Sequence, residues 1–113
     1  MRIDIKPFSA NRLWKGRRYK TKEYQAWRDE FGWLSKGSTK HTGYLEINLK
    51  FYIKSFKVSD VDNLIKPTLD ALQENRIIEN DKYVLKVSAE KFHSKDERIE
   101  INITPYEEPQ TMA

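Results

Sequence analysis

Four charged residues, Asp60, Asp62, Lys66 and Asp81, are the first candidates for chemistry in this chain. Asp60 and Asp62 are two positions apart, so in an extended segment both carboxylates point the same way. Pairs of hard oxygen ligands suit Mg²⁺ or Mn²⁺, and these ions polarise a phosphoryl oxygen and lower the pKa of a bound water. A nearby lysine can stabilise negative charge that develops on a phosphate. This set of residues is therefore compatible with phosphodiester hydrolysis.

The third carboxylate, Asp81, lies 19 residues beyond Asp62, with a predicted helix between them. A helix of about a dozen residues carries the chain ~18 Å away, and the extended residues 74–80 can return it over ~23 Å. All three aspartates can therefore meet at the end of the long predicted strand, although the spacing does not force them to. A second interpretation stays open: Asp62 caps a helix, Asp60 flanks a turn, and Lys66 is a solvated helix residue.

Length and composition exclude several classes of protein. The 113 residues suit one domain, 1–113, with a polar tail expected to fray from about residue 107. Hydrophobic residues are 38% and aromatic residues 12%, which is too many for a disordered chain. No apolar run approaches the ~20 residues of a membrane span. The chain has no cysteine, which excludes thiol catalysis and thiolate zinc sites and makes the cytoplasm the expected location.

The net charge of +4 conceals an asymmetry between the two halves of the chain. Residues 1–57 contain 14 Lys and Arg against 5 Asp and Glu, a net charge of +9. Residues 58–113 contain 7 against 12, a net charge of −5. Either the surface charge is merely uneven, or a basic surface for a polyanion adjoins an acidic cluster with another role.

The basic residues are densest in an irregular segment before the first helix, where they interleave with Trp14 and Tyr19. This basic arm contains Arg12, Lys15, Arg17, Arg18 and Lys20. Basic and aromatic residues together suit phosphate contacts and stacking on an exposed base. The alternative is a loop anchored by its own aromatic residues.

Hydrophobic periodicity supplies the elements that must position these residues. It predicts the order β-α-β-α-β-β: a strand at Arg2–Lys6, a helix from its N-cap Thr21 to about Leu34, a strand at Tyr44–Lys54, a helix at Asn63–Gln73, and strands at Tyr83–Phe92 and Arg98–Thr104. The last two strands are expected to form a hairpin through Ser94–Glu97. Either the second helix begins its regular part at Pro67, or it is bent there. The predicted fold is α+β, a mixed α/β sandwich of about four strands covered on one face by two helices.

A motif around the aspartates is specific enough to suggest a family. It consists of Asp60, Asp62, Asn63, Leu64, Lys66, Pro67, Asp70, Ala71 and Leu72, followed by an acidic position at Asp81 and a basic strand. This arrangement resembles the RusA family of Holliday junction resolvases, which are small homodimeric metal-dependent endonucleases. The N-terminal segment Pro7–Trp14 and the basic arm are also similar to this family, with lower specificity.

The resemblance implies a role for each matching position. Asp60, Asp62 and Asp81 correspond to the family's catalytic, metal-binding carboxylates, and Lys66 to its essential lysine. Lys91 matches a recurrent lysine, which we expect to contact nucleic acid together with the basic arm. Three further residues are expected to support the site: Asn63, Asp70 and Asn80. Asn80 is a departure, because the family usually has an aspartate there and an amide adds no negative charge.

The resemblance further implies a metal-dependent endodeoxyribonuclease that nicks four-way DNA junctions symmetrically in recombination and repair. We expect Mg²⁺ as the cofactor, with Mn²⁺ as an alternative, branched DNA as the substrate, and a homodimer without membrane contact. Family members are often carried by phages or prophages, so the expected location is the cytoplasm of a bacterial host. Two other functions stay open: a non-catalytic binding module for branched DNA or RNA, and a structural or regulatory module whose basic face binds a protein.

Overall fold

The computed structural model describes residues 1–10, 14–15, 19–57 and 59–108, with only the backbone described at 14, 15, 19 and 20. Its elements are β1 (Arg2–Ile3), β2 (Trp14–Lys15), β3 (Tyr19–Lys20), α1 (Lys22–Leu34), β4 (Leu45–Ile53), α2 (Val61–Glu74), a 3₁₀ helix (Asp81–Tyr83), β5 (Val84–His93) and β6 (Arg98–Pro105). The predicted α+β fold and the order of the major elements are confirmed. The two-residue strands β2 and β3, which pair with each other, were not predicted.

The four-stranded sheet has the order β1-β6-β4-β5, and β4 lies at its centre in contact with both neighbours. The alternation predicted for β4 is confirmed, since every second side chain is buried. The buried set is Leu45, Ile47, Leu49, Phe51 and Ile53. All of these side chains except that of Ile53 join residues of both helices in one hydrophobic core, so one face of the sheet carries the helices.

The predicted hairpin between β5 and β6 is wrong, because β4 lies between these two strands. β5 pairs with β4 in parallel, from Leu45 opposite Val84 onward, and β6 pairs with β4 antiparallel. A parallel neighbour requires a crossover, which α2 provides. The short connection after β5 instead crosses the end of β4, where the Ser94 N–H donates to the Ile53 carbonyl at 3.0 Å and the Lys54 N–H donates to Glu97 Oε2 at 3.3 Å.

Helix α1 begins as predicted, with the Thr21 hydroxyl accepting a hydrogen bond from the Tyr24 N–H at 3.2 Å. Its residues Tyr24, Trp27 and Phe31 are buried in the core. Leu34, the last residue of the helix, is 41% exposed.

Helix α2 is one continuous helix with Pro67 inside it, so the first alternative, in which its regular part starts at Pro67, is wrong. The second alternative, a bend at Pro67, stays a prediction. Pro67 cannot donate to the Asn63 carbonyl, but its ring is buried in the core. In the next position, the Thr68 hydroxyl donates to the Leu64 carbonyl at 2.9 Å. Burial of the proline and its neighbours therefore offsets the missing backbone hydrogen bond.

In the part of the chain that the structure describes, no helix combines the length and apolarity that a membrane crossing requires. Of the tail predicted to fray from about residue 107, positions 109–113 lie outside the described residues.

Candidate active site

Asp60 and Asp62 lie at the start of α2, where the chain leaves the loop that follows β4. Asp60 is the N-cap residue, with an extended backbone (φ −71°, ψ 153°), but its side chain makes no capping hydrogen bond. Asp62 lies inside the first helical turn and so does not hold the capping position that one interpretation gave it. Both residues are exposed. The positive end of the helix dipole favours two carboxylates at this place.

Lys66 lies between two carboxylates. Its Nζ atom is 2.9 Å from Asp70 Oδ1, one helical turn further along α2, and 3.4 Å from Asp81 Oδ2. The hydrogen bond to Asp70, with a smaller contribution from Asp81, raises the pKa of Lys66 above its ordinary value of 10.5 although partial burial opposes this. Lys66 is therefore a charged member of a carboxylate cluster rather than an isolated solvated residue.

Asp81 reaches this cluster because its backbone is held by α2. The Asp81 N–H donates to Gln73 Oε1 at 2.8 Å. Gln73 is seven residues beyond Lys66, so both side chains lie on one face of the helix. The sequence interpretation missed Gln73, and this seven-residue spacing from the lysine was the signal that could have indicated it.

Asn80 has a local structural role beside Asp81. It is the N-cap of the 3₁₀ helix, and its Oδ1 accepts a hydrogen bond from the Lys82 N–H at 3.0 Å. Asparagine is as good a capping residue as aspartate. The departure from the family pattern at this position therefore preserves the cap. Asn63 contributes a backbone contact, since its N–H donates to the Asp60 carbonyl at 3.1 Å.

Lys91 holds the loop that leads to Asp60. Its ammonium donates to the Ser59 carbonyl at 3.0 Å and to the Phe56 carbonyl at 3.4 Å, and it lies 5.3 Å from the centre of the Phe56 ring. Ser59 is held a second time, because its hydroxyl is 2.8 Å from that of Ser9. The predicted contact of Lys91 with nucleic acid stays a prediction.

The basic arm is described only in part. Arg12, Arg17 and Arg18 lie outside the described residues. The backbones of Trp14 and Lys15 pair with those of Lys20 and Tyr19 in the ladder of β2 and β3. The nucleic-acid-binding role of Arg12, Trp14, Lys15, Arg17, Arg18 and Lys20 therefore also stays a prediction.

The structure brings Lys66, Asp70 and Asp81 together and leaves Asp60 and Asp62 at the start of α2. Asp81 begins the 3₁₀ helix that leads into β5, and the first residue of β5 is paired with the start of β4. Asp60, in contrast, follows the loop after the end of β4. Among the described residues, no group of three or more histidine or acidic side chains is arranged so that it could hold a metal ion. The donor atoms themselves are carboxylate oxygens, the type that Mg²⁺ and Mn²⁺ prefer.

Comparison with protein families gives a match that spans most of the chain. The sequence model of the family described as endodeoxyribonuclease RusA matches residues 5–104. The matched span contains both helices, Lys91 and every residue of the candidate site. A comparison with curated proteins gives no match.

Proposed function

The chain belongs to the RusA family of endodeoxyribonucleases, and on this premise we propose that it is a metal-dependent enzyme that nicks four-way DNA junctions in recombination and repair. The observation that carries the proposal is the family match over residues 5–104, which includes Asp60, Asp62, Lys66 and Asp81. Membership of this family implies endonuclease activity on branched DNA. The metal requirement and the role of each residue are our proposals.

Asp60, Asp62 and Asp81 are the proposed ligands of Mg²⁺, with Mn²⁺ as an alternative. These carboxylates do not form a metal-holding group among the described residues, so the proposal requires them to converge on the ion. When bound, such an ion polarises a phosphoryl oxygen and lowers the pKa of its water. Asp60 supports this role because its side chain is exposed and makes no capping hydrogen bond. The carboxylates alone repel a DNA phosphate, so a bound cation also allows the substrate to approach.

Lys66 is the proposed group that stabilises negative charge on the scissile phosphate. The ordinary lysine pKa of 10.5 already keeps the ammonium protonated at neutral pH, and the contacts with Asp70 and Asp81 raise this pKa further. Asp70 holds the ammonium at 2.9 Å, and Gln73 holds the backbone of Asp81 at 2.8 Å, so α2 supplies the orientation of both charges. A cation held beside the reacting phosphate lowers the energy of the transition state more than that of the bound substrate.

Substrate binding is assigned to the basic half of the chain. The basic arm contributes five Lys and Arg residues in positions 12–20, and such residues bind DNA backbones without regard to sequence. A four-way junction has two equivalent strands to cut. We therefore propose a two-fold homodimer with one site in each subunit, since that symmetry matches the substrate.

The test is cleavage of an end-labelled four-way junction with Mg²⁺, with Mn²⁺ and with EDTA. The wild type, Asp81→Asn and the control Asp29→Asn are compared, because Asp29 is an exposed aspartate on α1. We expect paired nicks from the wild type and from Asp29→Asn only when metal is present. Asp81→Asn should bind the junction without cutting it, because the amide removes a ligand charge.

Two results would contradict the proposal. Binding by the wild type without cleavage at any metal concentration would favour the non-catalytic binding module. Equal cleavage with and without EDTA would remove the metal from the account.

A further inference from the structure

A cleft beside the start of α2 is not used by the proposed chemistry. Its volume is about 230 Å³, and it lies at the end of the sheet where β4 finishes. The lining comes from residues 6–9, the end of β4, both helices and the connection before β6. Its apolar walls are formed by Phe8, Trp27, Ile53 and Leu64.

The cleft adjoins the candidate active site through Ser59. Ser59 lines the cleft and directly precedes Asp60 in the chain, and its hydroxyl donates to the Asp60 carbonyl at 3.3 Å. Trp27, which also lines the cleft, is held in place by its indole N–H, which donates to the Lys6 carbonyl at 2.7 Å. A group bound in this cleft therefore lies next to the residue that begins the catalytic motif.

The polar groups around the apolar walls are two cations and one carboxylate. Lys6 and Lys54 both line the cleft and are exposed to solvent. Glu97 also lines it, and its Oε2 accepts a hydrogen bond from the Lys54 N–H at 3.3 Å. None of the described residues donates a hydrogen bond to the other oxygen of Glu97, Oε1. That oxygen is an acceptor for an N–H group in a bound molecule.

We propose that this cleft takes one nucleobase that leaves its stack near the crossing point of a DNA junction. The walls accept a flat heterocycle, the two lysines suit the phosphates on either side of it, and Glu97 accepts from an exocyclic amino group. The cleft therefore favours cytosine, adenine or guanine over thymine, which has no amino group and whose N3–H lies between two carbonyl oxygens that repel the carboxylate. This inference rests on the proposed function, because the junction must be the partner.

The test measures equilibrium binding of four-way junctions in EDTA, so that it does not depend on cleavage. Each position that flanks the crossing point carries each of the four bases in turn. At one of these positions, present in each of two symmetry-related strands, thymine should weaken wild-type binding relative to the other three bases. The expected loss is about five- to tenfold, the size of one good base contact. Glu97→Gln should reduce this preference to less than about twofold, because an amide can also donate to thymine.

Two controls separate loss of the contact from loss of structure. Glu90→Gln makes the same change at an exposed residue of β5 and should keep the full preference. Ser55→Phe fills the cleft and should abolish the preference, whereas Ser38→Phe, in the loop after α1, should not. Phosphate contacts by the arm should keep the affinity of Glu97→Gln, Glu90→Gln and Ser38→Phe for the preferred junction within about threefold of the wild type. Ser55→Phe should bind the preferred junction about five- to tenfold more weakly, as the wild type binds the thymine junction, because no base can enter the filled cleft.

Equal wild-type binding of all four bases at every tested position would overturn the inference, as would an unchanged preference in Glu97→Gln and Ser55→Phe. A wild type that cuts junctions with metal but shows no base preference would contradict only this inference. A wild type that shows the preference but never cuts would contradict only the nuclease. Absence of junction binding would overturn both.

Discussion

Replacement of Lys66 by methionine should separate catalysis from stability. The ammonium contacts Asp70 and Asp81, yet the side chain is 57% exposed, so solvent screens both ion pairs. Exposed pairs contribute about 0.2–1 kcal/mol. We therefore expect Lys66→Met to lower the free energy of unfolding by no more than about 1 kcal/mol, a fall in Tm of about 4 °C.

The expected effect of the same change on the reaction is much larger. Removing one group that stabilises developing charge lowers kcat by about 10²–10³-fold, or about 2.7–4 kcal/mol. The assay is single-turnover cleavage of saturating junction with Mg²⁺, beside thermal unfolding of each variant. Lys66→Arg keeps the charge with a different geometry and should recover part of the rate.

The matched control is Lys86→Met. Lys86 is 58% exposed and also pairs with a carboxylate, Glu46, at 4.0 Å, but it lies on β5. We expect this variant to lose a similarly small amount of stability and to keep the full cleavage activity of the wild type. Both variants must be folded and bound to the junction when their cleavage rates are compared. The expected loss of rate in Lys66→Met is at least about 10²-fold. If its rate instead lies within about threefold of the Lys86→Met rate, the catalytic role of Lys66 is refuted.

Three further changes test other parts of the structure. Lys91→Met removes the donor to the carbonyl of Ser59 and should lower the free energy of unfolding by about 1 kcal/mol; urea unfolding equal to that of the wild type would contradict the anchoring role. Burial raises the pKa of the Tyr24 hydroxyl in the folded protein above its ordinary value of 10.0. The unfolded chain therefore loses the hydroxyl proton at a lower pH than the folded protein, and the free energy of unfolding falls as the pH rises above about 10. Tyr24→Phe should therefore lose less stability than the wild type between about pH 9 and pH 11 in urea unfolding, and equal losses would contradict the shift. Arg17→Ala combined with Arg18→Ala should reduce the slope of log K against log salt by about 1.8, and an unchanged slope in a binding series would exclude these two residues from the DNA contact.

The sequence predicted the elements better than their pairing. The alternation of Leu45, Ile47 and Leu49 identified β4 and its buried face, because a half-buried strand needs that period. The hairpin prediction failed because a four-residue connection ordinarily joins adjacent strands. The parallel pairing of β5 with β4 depends on where α2 returns the chain. Such a pairing is decided by tertiary packing, which a local pattern does not contain.

Pro67 shows a similar limit. Its missing N–H predicts a start or a bend in a helix. The structure instead continues α2 from Val61 to Glu74, because Leu64, Pro67 and Thr68 are all buried against the core. Local propensity was outweighed by burial, whose extent the sequence did not reveal.

The charged residues of the candidate site could be selected from the sequence, but their contacts could not. The four-residue spacing of Lys66 and Asp70 is compatible with an ion pair along a helix, and the structure contains this pair. The contact from Lys66 to Asp81 depends on residues 75–80, whose path no periodicity specifies. Gln73 was missed because a glutamine on a helix is ordinarily solvated. Its spacing from Lys66 indicates the shared helix face, but only the fold brings the Asp81 N–H to it.

The proposed metal site is tested most directly by soaking a crystal of the protein with Mn²⁺ and recording anomalous scattering. We expect a Mn²⁺ peak bound by carboxylate oxygens of Asp60, Asp62 and Asp81, with Lys66 still paired to Asp70. No peak at these carboxylates, with Lys66 still bridging Asp70 and Asp81 as in the present structure, would contradict the metal site from which the proposed nuclease mechanism begins.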